Sequence, residues 1–279
     1  MKISSLMGYC HRPGLQWLAQ IIIFLVYRLN GEKIFSVGYN PSIRLWEYQI
    51  GDSFFLTLYP SWFSSDAYYL HTFVKYSGHY YMPAKGDTII DVGAGVGEEV
   101  LVMSRLVGIK GTVYAIEANP KTFNVLDFFC KKNKLSNARL FNLALAKEAG
   151  HVFIEDDNVY GVQNSISNIY SDKRFRVESQ SLDAFIEANH ISDVDLLKVN
   201  IEGAEQFLIQ GMKHSITKIR RVAISCHDFR WATGESEFFR TREVVIEFLK
   251  QHFNLTYQQS GDSVRDHYVY GTNKNLPTD

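Results

Sequence analysis

The chain is poor in cysteine and proline and carries almost no net charge. Its three cysteines, Cys10, Cys130 and Cys226, are far apart and odd in number. They form neither a disulfide framework nor a zinc-ligand spacing, which points to a reducing, cytoplasmic setting. The formal net charge is −1 over 279 residues, so the composition implies no nucleic-acid groove and no polybasic membrane patch. Six prolines and no low-complexity tract leave no obvious linker. No apolar run reaches the roughly 20 residues needed to span a bilayer. The strongest run, "LQWLAQIIIFLVYRL" (Leu15–Leu29), has Arg28 near its end and no small-residue cleavage site after it. A helix packed on the core or at an interface is expected here. A homodimer contact stays open, and so does a peripheral membrane contact or an uncleaved anchor, either of which would make the protein membrane-associated.

What is present divides the chain in two. Residues 1–83 are rich in aromatics, and "KIFSVGY", "IRLWEYQI" and "SFFLTLY" alternate as short antiparallel strands do. "SSDAYYLHTFVKYS" is expected to be a helix capped by Ser64 or Ser65. From residue 84 to 279 strands and helices alternate, beginning with "TIIDVG" and "EEVLVMSRLVG". "ARLFNLALA" is expected as one strand, "AEQFLIQGMKHSI" as one helix, and "NLTYQQS" with "DHYVYGTN" as a closing hairpin. This rhythm predicts an α/β fold: a mostly parallel sheet with helices on both faces. A polar insertion with its own strands, "HVFIED" and "FRVESQ", interrupts it. Asn164 and Ser165 lie in that insertion, either near a ligand or in a plain loop. The division is therefore an aromatic-rich α/β extension, 1–83, and a ligand-binding α/β domain, 84–279.

Ligands in open α/β sheets bind outside the carboxyl ends of the strands. The first strand of the second part ends in Asp91-Val-Gly93-Ala-Gly95-Val-Gly97. A dinucleotide fingerprint needs a third glycine at position 98, and Glu98 stands there. Glu98 and Glu99 at the following helix N-terminus would also repel a pyrophosphate. That argues against a nicotinamide dehydrogenase. A phosphate-free cofactor with a cationic centre, S-adenosylmethionine (SAM), suits these residues better. The next strand ends in Glu117, twenty residues after Gly97, where a carboxylate can accept ribose hydroxyls. Asn142, near the end of the third strand, is placed for an adenine edge or for a turn.

"DVGAGVGEEVL", "VYAIEANPKTFNVL", "LLKVNIEGAE" and the closing hairpin resemble class I SAM-dependent methyltransferases, and more narrowly the FkbM family, over residues 84–272. The resemblance implies a Rossmann-like seven-stranded sheet with a reversed last strand. It also implies O-methylation of a hydroxyl on a sugar, glycan or secondary metabolite. The cofactor-binding residues it implies are Asp91, Gly93, Gly95, Gly97, Glu117, Asn119, Asn142 and Asn200. Residues 1–83 lie outside it.

The catalytic side is expected at the ends of "LLKVN" and "RRVAISCHDF". Alternation puts Lys198, Asn200 and Glu202 on one side of the ribbon. Asn200, Glu202, His227 and Asp228 are then expected around the reacting methyl group. His227 is the natural base near neutral pH, with Glu202 or Asp228 orienting it or serving instead. Glu205, in the first turn of a helix, is expected to serve the helix dipole. A divalent cation on Asn200, Glu202 and Asp228 is a second mechanism. The family usually has Asp where this chain has Asn200, and an amide is a weaker ligand and no base, so no metal ligand is assigned. A third possibility is a SAM-binding scaffold without catalysis. The aromatic extension suits an acceptor pocket or a dimer interface equally well.

Overall fold

The computed structural model describes residues 14–61, 64–155, 166–167 and 174–277. The extension opens with helix α1 (Gln16–Leu29), followed by strands β1 (Ile34–Asn40), β2 (Leu45–Ile50) and β3 (Ser53–Thr57) and helix α2 (Asp66–Lys75). The three strands form an antiparallel sheet in sequence order. Of the two serines expected to cap α2, Ser65 does so, its side chain accepting from the Tyr68 N–H.

The second part is built on a seven-stranded sheet. Its strands are β4 (Thr88–Val92), β5 (Thr112–Ile116), β6 (Ala138–Phe141), β11 (Leu196–Val199), β12 (Arg221–Ser225), β13 (Phe253–Tyr257) and β14 (Tyr268–Asn273). They lie in the order β13-β14-β12-β11-β4-β5-β6. Strand β14 runs antiparallel to both its neighbours, and the other pairs are parallel. This is the expected sheet with its reversed last strand. The insertion forms a small sheet of β7 (Ala144–Leu145), β8 (Gly150–Glu155), β9 (Ile166–Ser167) and β10 (Arg174–Gln180), in the order β7-β10-β8-β9. Asn164 and Ser165 lie outside the described residues.

Strand alternation sorts the core into two layers. Ile90, Val92, Leu197 and Val199 point to one face, packed with α5 (Leu182–Ala188), α6 (Glu205–Gln210) and α8 (Arg242–Leu249). Ile89, Val113 and Leu196 point to the other, with α3 (Glu98–Val107) and α4 (Pro120–Lys132). The extension joins this second layer: Ile23, Trp46, Phe55 and Phe73 belong to one hydrophobic cluster with Met103 and Phe129.

Two expected elements are broken. "ARLFNLALA" is not one strand: β6 stays in the large sheet and β7 leaves it for the small one, with Asn142 at the break. "AEQFLIQGMKHSI" is not one helix. It stops at Gly211, where a Cβ would lie 2.2 Å from the Ala146 carbonyl. Resuming at Ser215–Lys218, the chain makes only a 3₁₀ turn.

Candidate active site

The carboxyl ends of β4, β5 and β11 open on a cavity of about 670 Å³. Gly93, Gly95, Glu98, Glu117, Asn200 and Glu202 line it on one side. Opposite, the extension supplies Tyr59, Tyr68, Tyr69, Phe73 and Tyr76.

The three glycines of the loop do different work. Gly93, at φ +80°, is pressed against the fourth strand's end: a Cβ there would sit 1.9 Å from the Asn200 carbonyl oxygen. Gly97, at φ +102°, is pressed against helix α4, where a Cβ would come within 2.7 Å of Phe129. It does not line the cavity. Gly95, at φ +56°, has open space where its Cβ would be, so it is the position that lets a ligand come close to backbone.

Glu117 anchors this loop. Its Oε2 accepts from the Gly95 N–H at 2.9 Å and its Oε1 from the Asn119 N–H at 2.9 Å. Burial raises its carboxyl to about 7 against those two bonds. Each oxygen keeps acceptor capacity toward the cavity. Asn119 lines the cavity too, but its Oδ1 is spent capping α4, accepting from Lys121 and Thr122 N–H groups. Asn142 is exposed and turned to the backbone, donating to the carbonyls of Glu117 and Ala118. It fixes the break between β6 and β7 and lies off the cavity, where an adenine edge had been expected for it.

Asp91 does not reach the cavity surface. It is fully buried and paired with Lys198, whose Nζ lies 2.8 Å from Asp91 Oδ1, 2.9 Å from Glu99 Oε2 and 3.2 Å from the Gly93 carbonyl. Burial works against the ammonium, but the two carboxylates more than offset it and raise its pKa. Lys198 is thus the hub between the glycine loop and β11. The alternation reading found its face but gave it no role.

Lys198, Asn200 and Glu202 do line the cavity together, but so does Ile201, which alternation would turn away: the strand ends at Val199 and the chain beyond it no longer alternates. Asn200 Oδ1 is buried without a hydrogen-bond partner. Glu202 sits in the left-handed region at φ 52°, followed by Gly203 at φ 96°. Its Oε2 accepts from Arg230 at 2.7 Å, and its Oε1 is 3.4 Å from His227 Nε2. Despite burial, these two cations hold its carboxyl below the ordinary value.

His227 is not a free base. Its side chain is buried, with Nδ1 2.9 Å from Glu205 Oε1 and Nε2 facing Glu202. Burial lowers its pKa, but the two carboxylates, Glu205 foremost, push it up to about 9. At neutral pH it is an imidazolium with both nitrogens engaged. Glu205, expected to serve its helix, is fully buried and serves two partners: its Oε1 accepts from the Gly203 N–H just before α6 at 3.2 Å and also lies against His227. Asp228 faces away from the reaction side: its Oδ2 accepts from the Thr241 and Arg242 N–H groups, and it lines a separate, smaller cleft. The expected four-residue gathering is therefore a pair, Asn200 and Glu202, backed by His227. Among the described residues no group of three or more His, Cys, Asp or Glu is placed to hold a metal ion.

The sequence shows Glu98 only as an acid that repels a pyrophosphate. It lines the cavity as the first residue of α3, and the protein around it raises its carboxyl, with Tyr69 partly offsetting this. The other carboxylates on the cavity, Glu99, Glu117 and Glu202, are each committed to a cation or to backbone donors. This donor set suits a cationic, phosphate-free ligand: acids line the loop and the buried Asn200 oxygen lacks a donor.

A family model, the methyltransferase FkbM domain, matches residues 91–258. The chain belongs to the FkbM methyltransferase family. A hexuronic acid methyltransferase, AglP of Haloferax volcanii, is 22% identical over 143 residues, covering 50% of this chain and 56% of that protein. The chain thus matches little more than half the length of this curated relative. Among solved structures, an FkbM methyltransferase from Methylobacillus flagellatus aligns with TM-score 0.49 and 14% identity, over 74% of this chain and 50% of that one. A SAM-dependent methyltransferase from Aquifex aeolicus aligns with TM-score 0.42 and 13% identity, over 75% and 97%.

Proposed function

We propose that this FkbM protein is a SAM-dependent O-methyltransferase acting on a hydroxyl of a sugar, glycan or similar small molecule. One observation carries the reading. A single cavity joins the glycine loop and Glu117 to the end of β11 and to the aromatic wall of the extension. Cofactor and acceptor then meet in one space, shielded by protein. The relative that acts on hexuronic acid favours a sugar acceptor, and Tyr faces suit sugar rings.

Gly93, Gly95, Glu117 and Asn200 are the residues for the cofactor, with Asp91 and Asn119 holding them in place through Lys198 and the α4 cap. SAM, when bound, supplies an activated methyl carbon. The chain's own part is to align the acceptor and take its proton. Glu98 is the proton acceptor in this reading, since it lines the cavity and no cation neutralises it among the described residues. Glu202, fixed by His227 and Arg230, orients the acceptor by accepting from a neighbouring hydroxyl of the same molecule.

The test is thermal melting with SAM, then SAM consumption on a panel of hydroxylated sugars that includes uronic acids, with and without EDTA. A rise in melting temperature and a methylated product are expected. No shift at millimolar SAM would sink the cofactor assignment. A shift with no product across the panel would favour the scaffold instead.

A further inference from the structure

Helix α1 is apolar on two opposite faces. Ala19, Ile23 and Tyr27, spaced by four, are buried against the protein, and the Tyr27 hydroxyl donates to the Ser64 carbonyl at 3.0 Å. The opposite line is also spaced by four: Trp17 is 58% exposed, Ile21 50%, Leu25 53% and Leu29 85%. A surface helix ordinarily turns polar side chains outward. Scattered exposed apolar residues need no explanation, but a continuous stripe along three turns does.

Two observations say what covers it. The first is charge. Among residues 1–39 the charged side chains are Lys2, Arg12, Arg28, Glu32 and Lys33, four basic and one acidic. Basic groups therefore flank the stripe at both ends in sequence. The second is chemistry. The stripe itself offers one hydrogen-bonding group over its length, the Trp17 indole N–H at one end, whereas protein interfaces carry roughly one hydrogen bond per 100–200 Å². An acyl boundary asks for no hydrogen bonds, and its headgroup layer takes Trp and basic residues at the edges. The helix has 14 residues, about 21 Å at 1.5 Å per residue, and no helix among the described residues is long and apolar enough to cross a membrane.

We propose that α1 lies flat on an anionic lipid surface, with Trp17, Ile21, Leu25 and Leu29 in the acyl boundary and the exposed Arg28 and Lys33 at the headgroups. The buried face stays fixed to the extension, so the whole protein is carried to the bilayer. The inference needs no assumption about the reaction.

The experiment is co-sedimentation of the full chain with vesicles of equal parts phosphatidylcholine and phosphatidylglycerol, beside phosphatidylcholine alone. Sedimentation velocity without lipid runs in parallel. Wild type is expected to pellet with the anionic vesicles, more weakly in high salt and with the neutral ones. The Ile21→Ser/Leu25→Ser double variant should lose about tenfold or more in partitioning, as the loss of several half-exposed methylenes implies. Its melting temperature should be unchanged, because both side chains are outside the core. Wild type left in the supernatant, or a double variant that pellets as well as wild type, would overturn the proposal. So would a wild-type dimer that the same substitutions split.

Discussion

Lys198 and Asp91 are register partners on adjacent strands, and their side chains meet 2.8 Å apart with both buried. A charge pair inside a sheet has no water to fall back on. Replacing Lys198 by Met should therefore leave Asp91 uncompensated and cost about 3–5 kcal/mol. Urea denaturation of Lys198→Met, beside Lys198→Met/Asp91→Asn, measures this. The double variant should recover much of the loss; equal stability of the two would show that the pair is not coupled.

The histidine makes a pH prediction whose sign is fixed by its partners. Its folded pKa, about 9, exceeds the unfolded value of roughly 6.5. The stabilisation is complete below the unfolded value and is lost as pH rises through the folded one. Wild type should thus lose on the order of 2–3 kcal/mol between about pH 6.5 and 9.5. His227→Gln should be less stable at pH 6 but lack that slope. Melting curves across this range decide it, and parallel curves for the two proteins would refute a charged His227.

Gly95 and Gly97 should separate binding from folding. Alanine at either position costs about 1–2 kcal/mol for its left-handed backbone. Gly97→Ala adds overlap with Phe129, so it should lose clearly more stability in urea. Gly95→Ala should instead lose SAM affinity by calorimetry. If both variants bind SAM equally well, the open space at Gly95 is not where the cofactor lies.

Glu98→Gln should slow methyl transfer by about 10²–10⁴-fold, the usual contribution of a general base, with SAM affinity nearly intact. The wild-type rate should fall at low pH as the carboxylate is protonated, and the variant should lack that limb. A variant with full activity would remove Glu98 from the reaction.

The layered sheet was legible because alternation and glycine spacing are local signals: "TIIDVG" announces its own turn. The site was legible where it follows from strand ends, as at Glu117, Asn200 and Glu202. It was not legible where side-chain direction depends on a distant partner. Asp228 is three residues beyond the end of β12, yet its carboxylate is claimed by backbone at Thr241 and Arg242. Glu205 looks like any first-turn acid until the turn at Glu202 and Gly203 swings it under His227. Arg230, three residues after His227, carried a signal in that spacing, but only the geometry of α7 (Asp228–Ala232) reveals its target.

Gly93 meeting the Asn200 backbone has a consequence for traffic. With no room for even one methyl between them, the glycine loop and the end of β11 pack backbone to backbone, and Lys198 ties them together through Asp91 and the Gly93 carbonyl. The floor of the chamber is one slab. Whatever opens to admit a ligand or release a product has to be sought in the walls, where the extension's tyrosines stand.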